Sequence, residues 1–139
     1  MVTKTLCDTN ILIDIYGIGQ VWRDWSTARI AEARRQGPLA INPLIAAEFS
    51  IGFETPEEVF ELLDPAHFDH EPLPYGSAFQ AGRAFLGYRR GGGDKRSPMP
   101  DFYIGAHALV AGHRLLTRDP GRYRAYFPDL NIICPETHP

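Results

Sequence analysis

The chain has 139 residues, 44% of them hydrophobic and 22% charged, with a formal net charge of −3. That is enough apolar material for one domain, residues 1–139, to bury its own core. No apolar run approaches the ~20 residues that cross a bilayer, which excludes a membrane-spanning helix. The only cysteines, Cys7 and Cys134, sit beside apolar neighbours. Two packed, reduced thiols exclude a disulfide framework, and the N-terminus lacks the basic and apolar regions of a secretory signal, so the expected location is the cytoplasm.

Charge is unevenly spread. From Arg83 to Arg124 nine basic residues face three acidic ones, a local +6, whereas the remainder has five against fourteen, or −9. A basic segment within an acidic chain points weakly to nucleic acid, because a phosphate backbone responds to local rather than total charge.

In chain order, Val2 to Cys7 is a short β-like run. Helical spacing follows over Ile11 to Tyr16 and over Val21 to Gln36, the latter stopped by Gly37-Pro38. Within it Trp22 and Trp25, three apart, read as core. Leu39 to Asn42 is strand-like, Pro43 opens a helix to about Gly52, and Thr55-Pro56-Glu57-Glu58 supplies a cap, a first-turn proline and acids favoured by the helix dipole. After an extended stretch, Phe68 to Leu73, a helix is expected from about Gly76 to Tyr88, then an irregular loop, RRGGGDKRSPMP. Asp101 to Gly112 is helical again. Arg114 to Thr117 and Asn131 to Cys134 are short strands on either side of Asp119-Pro120-Gly121, and the closing Pro-Glu-Thr-His-Pro is expected to fray. Such alternation predicts a three-layer α/β/α fold with a mainly parallel central sheet, whose ligands sit beyond the carboxyl ends of the strands.

Four carboxylates stand out on that plan. Asp8 follows the first strand and Asp119 follows a late one, so both emerge at the carboxyl edge. Glu48 shares a helix face with Leu44, Ile45 and Ile51, and Asp101 heads the stripe of Ile104 and Ala108. Each alone is explained as a cap, a turn residue or a helix-border acid. Together they form the oxygen-rich set that Mg²⁺ or Mn²⁺ selects. At ~5 Å and an effective dielectric of ~20 each ionised pair repels by ~3 kcal/mol, so four converging groups face on the order of 20 kcal/mol. Protonation or a metal must relieve that, and the implied reaction is metal-assisted phosphodiester hydrolysis. His107 and His113 lack zinc-helix spacing, and the remaining histidines form no ligand pattern with the cysteines, so no zinc site is expected.

The opening DTNILID, the glutamate in NPLIAAEFS, the helix start PDFYIGAHAL and the late LLTRD resemble the PIN domain, specifically its VapC toxin branch, over nearly the whole chain. The resemblance implies a small endoribonuclease dependent on Mg²⁺ or Mn²⁺, usually a homodimer, held inactive by a VapB-like antitoxin whose tail crosses the active site. Asp8, Glu48, Asp101 and Asp119 match the family's acidic set, as catalytic residues and metal ligands. Asn10 and Thr117 match supporting positions, and Asp14 matches one better read as an exposed or capping acid. The chain departs from common members in its acidic balance and its long approach to Asp101. Arg89, Arg90, Lys95 and Arg96 in that loop are candidate RNA contacts.

Two rivals remain. A receiver-like or aspartate-nucleophile phosphoryl-transfer domain also places Asp after its first parallel strand, but wants a second acid close by and a lysine near the site. Here Thr9-Asn10 follows Asp8, and the only lysines are Lys4 and Lys95. The other rival is a catalytically silent metal- or RNA-binding module on the same fold.

Overall fold

The computed structural model describes residues 3–93 and 98–139. Five short parallel strands form one sheet: β1 (Thr5–Cys7), β2 (Leu39–Ile41), β3 (Asp69–His70), β4 (Arg114–Leu116) and β5 (Ile132–Ile133), in the order β3-β2-β1-β4-β5. Among the described residues seven helices connect and cover them: α1 (Thr9–Tyr16), α2 (Arg23–Gln36), α3 (Pro43–Ser50), α4 (Pro56–Leu62), α5 (Gly76–Arg90), α6 (Met99–Ala111) and α7 (Gly121–Tyr126). This is the α/β/α arrangement that the alternation predicts. Leu6, Cys7, Ala40, Leu115 and Leu116 are wholly buried, as strands covered on both faces require.

The register levels the carboxyl ends of the central strands. Thr5 lies beside both Leu39 and Arg114, and Cys7 beside Leu116. The chain winds from β1 to β2 and β3 on one side, then crosses to β4 and β5 on the other. The reversal between β1 and β4 leaves a crevice beyond their carboxyl ends.

Local chemistry sets the helices around it. Asn42 Oδ1 accepts from Ile45 N at 2.9 Å with Pro43 in the first turn, and Thr55 Oγ1 accepts from Glu58 N at 3.3 Å. The central helix α6 buries Phe102, Ile104, Ala106 and Ala108 completely. At Gly105 an added Cβ would come within 2.6 Å of the Phe127 ring, so glycine is what lets the chain after α7 close onto α6. Gly112, at φ 73°, then ends α6 in the left-handed conformation.

Several expectations need correction. Helix α7 was missed, because six residues after a proline are too short to show a periodicity. Arg89 and Arg90 do not belong to a loop; they form the last turn of α5, where cations suit the helix carboxyl end. Lys95 and Arg96, with Val2 of the first expected strand, lie outside the described residues. Ile51 is not on a buried stripe beside Glu48 but 86% exposed, and Phe49 fills the core instead. Trp22 is not core either; it is exposed and meets Trp25 edge-on at 6.0 Å. The tail is tied down rather than frayed: Thr137 bonds Cys134, and Trp25 Nε1 donates to the His138 carbonyl at 2.6 Å. Both cysteines are free and buried, and burial pushes the Cys7 thiol up to about 12.

Candidate active site

The crevice at the strand reversal holds all four acids. Asp8 (from the end of β1), Glu48 (from α3), Asp101 (from the first turn of α6) and Asp119 (from the β4–α7 loop) line one cavity of about 640 Å³. Thr9, Asn10, Ile13, Ile51, Gly121, Arg122 and Tyr123 complete its wall.

Asp8 is the most constrained of the four. It caps α1, its Oδ1 accepting from Thr9 N at 2.8 Å. Its Oδ2 accepts from the Thr117 and Tyr123 hydroxyls, each at 2.9 Å, with Asn10 Nδ2 at 3.5 Å. Burial pushes its carboxyl up to about 6, against the pull of those donors and with a further push from the Asp101 charge. Thr117 spends its one proton on Asp8 and accepts from Asn10 Nδ2 at 3.2 Å and Asp119 N at 3.1 Å. Asn10 in turn accepts from Arg118 N at 3.1 Å. Asn10 and Thr117 thus fix Asp8 and the backbone that carries Asp119.

Among the described residues no three of these acids bring ligand atoms within 4.8 Å of one another, and hydrogen-bond donors reach three of them. Glu48 accepts from Thr9 Oγ1 at 2.8 Å, and burial, then Asp101, hold its carboxyl above the usual range. Asp101 accepts from Arg122 Nη1 at 2.8 Å. Asp119 is exposed. Sequence reasoning missed Thr9, Arg122 and Tyr123, because a hydroxyl or guanidinium reaching an acid 39, 21 or 115 residues away leaves no local pattern.

Asp14 is corrected outright. It is not an exposed or capping acid but 1% exposed, gripped by Arg118 through Nε at 2.8 Å and Nη2 at 2.9 Å, with Ser26 Oγ at 2.7 Å. It does not line the cavity, and its bonds to Arg118 anchor the loop after β4. Arg89 and Arg90 are exposed and do not line the cavity.

A donor set of four carboxylates, one of them raised by burial, fits a hard divalent cation. Among the described residues, however, the trio whose ligand atoms all fall within 4.8 Å of one another is elsewhere: Glu71, His107 and His113. Sequence spacing had shown no ligand pattern for these histidines, since Glu71 comes from beyond β3. By distance alone they are a possible metal site. Hydrogen bonding opposes it. Asn42 Oδ1 is committed to Ile45 N, so Asn42 Nδ2 donates to His107 Nδ1 at 3.0 Å and leaves the proton on His107 Nε2, facing Glu71 at 3.0 Å. A metal ligand would need that nitrogen bare. Lys4 Nζ also occupies Glu71, at 2.6 Å. Burial alone would raise Glu71, but Lys4, His113 and His107 together hold it down at about 2, while burial lowers His107.

The arrangement agrees with known folds. A PIN domain family model matches residues 5–128. The chain resembles the VapBC2 complex from Rickettsia felis bound to a promoter DNA fragment (TM-score 0.74, 17% identity, 95% of this chain and 98% of that one). It also resembles VapBC-1 from nontypeable Haemophilus influenzae (0.72, 18%, 95% and 98%) and FitAcB from Neisseria gonorrhoeae (0.69, 18%, 93% and 96%). Comparison with curated proteins gives no match. Identities this low establish the fold alone, but the family model spans most of the chain, from β1 past α7. With five parallel strands, an acid after β1 and another after β4, the chain belongs to the PIN domain family.

Proposed function

We propose that the chain is a metal-dependent endoribonuclease that hydrolyses RNA phosphodiester bonds, the VapC-type toxin of a type II toxin–antitoxin pair acting in the cytoplasm. The observation that carries this reading is the meeting of Asp8, Glu48, Asp101 and Asp119, from four separate elements, around one cavity. A bound Mg²⁺ or Mn²⁺ would polarise the phosphoryl group and make water acidic enough to attack it.

The chain's own groups divide the remaining work. Asp8 offers Oδ1 as a ligand while Thr117 and Tyr123 lock Oδ2, so its orientation is set before the ion arrives. Asp101 and Asp119 complete the ligand set. Glu48, held above the usual carboxylate range, is suited to take the proton of the attacking water. A neutral Asp8 at low pH is a poor ligand, so activity is expected to fall below about pH 6.

An antitoxin has a fitting place. An apolar groove of about 400 Å³, lined by Tyr16, Phe49 and Phe53, runs into the acid cavity and shares Ile13, Glu48 and Ile51 with it. A VapB-like tail seated there would cover the acids, in keeping with neighbours described as VapBC complexes. Exposed Tyr75 and Phe79 at the start of α5 offer an apolar face for a homodimer. No helix among the described residues is long and apolar enough to cross a membrane.

The test is cleavage of total cellular RNA by the purified, partner-free protein with Mn²⁺, with chelator, and with Asp101→Asn. Cleavage that needs the ion and Asp101 supports the reading. Cleavage indifferent to either would assign the activity to another site or a contaminant. Binding of Mn²⁺ without cleavage of any RNA would favour the silent module.

A further inference from the structure

We propose that Arg122 is a built-in counter-cation of the acid cavity: it holds Asp101 while the site carries no metal, yields that carboxylate to the ion, and then takes a phosphate oxygen of the RNA. This rests on the nuclease reading above and assigns a residue that the acidic set does not include.

Arg122 is the one cationic side chain among the described residues of the cavity wall, facing four carboxylates. A pocket shaped only to attract a dication gains nothing from it, since a guanidinium 2.8 Å from Asp101 repels the ion that Asp101 would bind. Its presence makes sense if it acts in both states. Without metal it offsets part of the repulsion among the acids. With Mg²⁺ bound, four ionised carboxylates still leave two negative charges facing an anionic phosphodiester, and a freed guanidinium removes one of them. The planar fork of arginine is also the side chain best matched to a phosphate.

Two arginines four residues apart show which contact is permanent and which can exchange. Arg118 grips buried Asp14 with two parallel bonds. Arg122 touches Asp101 through one nitrogen, and the pair is 49% and 30% exposed. Exposed single-contact pairs are weak, so a dication can displace this one. The guanidinium cannot then wander far. Its neighbour Tyr123 is pinned to Asp8 by its hydroxyl and, with Phe127, packs where Gly105 leaves room on α6. Displaced from Asp101, Arg122 stays at the rim through which a backbone phosphate must pass.

The test uses the full chain with Arg122→Gln and Arg122→Lys. Mn²⁺ affinity, measured by calorimetry without RNA, is expected to rise about fivefold in the glutamine variant, which removes the competitor, and to stay near wild type in the lysine variant. Binding of random-sequence single-stranded RNA is then followed against salt, with Ca²⁺ in place of Mn²⁺ to prevent cleavage. The slope is expected to fall by about 0.7 in Arg122→Gln when Ca²⁺ is present, and not in metal-free protein. Mn²⁺ affinity equal to or weaker than wild type in Arg122→Gln would overturn the competition, and an equal loss of slope with and without Ca²⁺ would overturn the exchange. If Mn²⁺ binding requires Asp101 but ignores Arg122, only this proposal fails. If the folded wild type binds no Mn²⁺ at all, the nuclease reading fails and takes it along.

Discussion

Arg118 reaches back to the buried carboxylate of Asp14 on α1, closing a two-bond fork that ties the loop carrying Thr117 and Asp119 to the helix that Asp8 caps. Two ligand-bearing segments 104 residues apart in sequence are thereby held in one register.

Removing one partner should expose the cost of that tie. Arg118→Met leaves Asp14 buried without its counter-ion and is expected to destabilise by about 3 kcal/mol. Asp14→Asn with Arg118→Gln together should lose less than the two single changes summed, because they share one interaction. Urea unfolding checks both. A loss under about 0.5 kcal/mol in Arg118→Met would mean that the fork does not organise the loop.

Asp8 predicts an unusual pH profile for metal-free protein. Its carboxyl stands at about 6, against an ordinary value of 3.8, so the folded state holds the extra proton between those limits. Stability from this group is present below about pH 4 and is lost as pH rises through 6, by about 3 kcal/mol in all. Asp8→Asn should abolish that slope. Mn²⁺ should oppose it, since the ion selects the charged carboxylate. A thermal-melting series over pH 4–7 that is flat in metal-free wild type would contradict the assignment.

Asp101→Asn separates repulsion from ligation. Arg122 already offsets part of the Asp101 charge, so removing that charge should change the metal-free melting temperature little. The rise produced by Mn²⁺ should shrink sharply, because a ligand is gone. Equal stabilisation by Mn²⁺ in variant and wild type would remove Asp101 from the ligand set.

The Glu71 network behaves oppositely in pH. Glu71, held at about 2 against an ordinary 4.5, contributes stability that is present above pH 4.5 and lost as pH falls toward 2. Glu71→Gln should cost about 1 to 3 kcal/mol at pH 7 and flatten the acid limb. Zn²⁺ is expected to stabilise neither protein through this trio, since Asn42 keeps the proton of His107 on Nε2. A Zn²⁺-dependent rise in wild type that Glu71→Gln abolishes would show instead that Asn42 turns over and the trio ligates.

How much of this was legible differs by residue. The strand runs around Leu6, Ala40 and Leu115 announced themselves, because a strand buried on both faces must be a continuous apolar run. Thr55 and Pro56 marked the start of α4 for an equally local reason. Asp8 and Asp119 were placed at the carboxyl edge by alternation alone. Asp14 was misread, because an acid on a short helix looks the same whether it faces water or a guanidinium that arrives 104 residues later.

By itself, the sequence determined what depends on neighbours along the chain: the parallel α/β/α order, the caps, and an excess of acids on elements that end at one edge. Tertiary structure alone decided which donors reach those acids. It placed Tyr123 on Asp8, Arg122 on Asp101 and Thr9 on Glu48, and it set Glu71 between two histidines and a lysine. Periodicity and capping are properties of one segment, whereas the charge state of a buried carboxylate depends on every group that folding brings within a few ångströms of it.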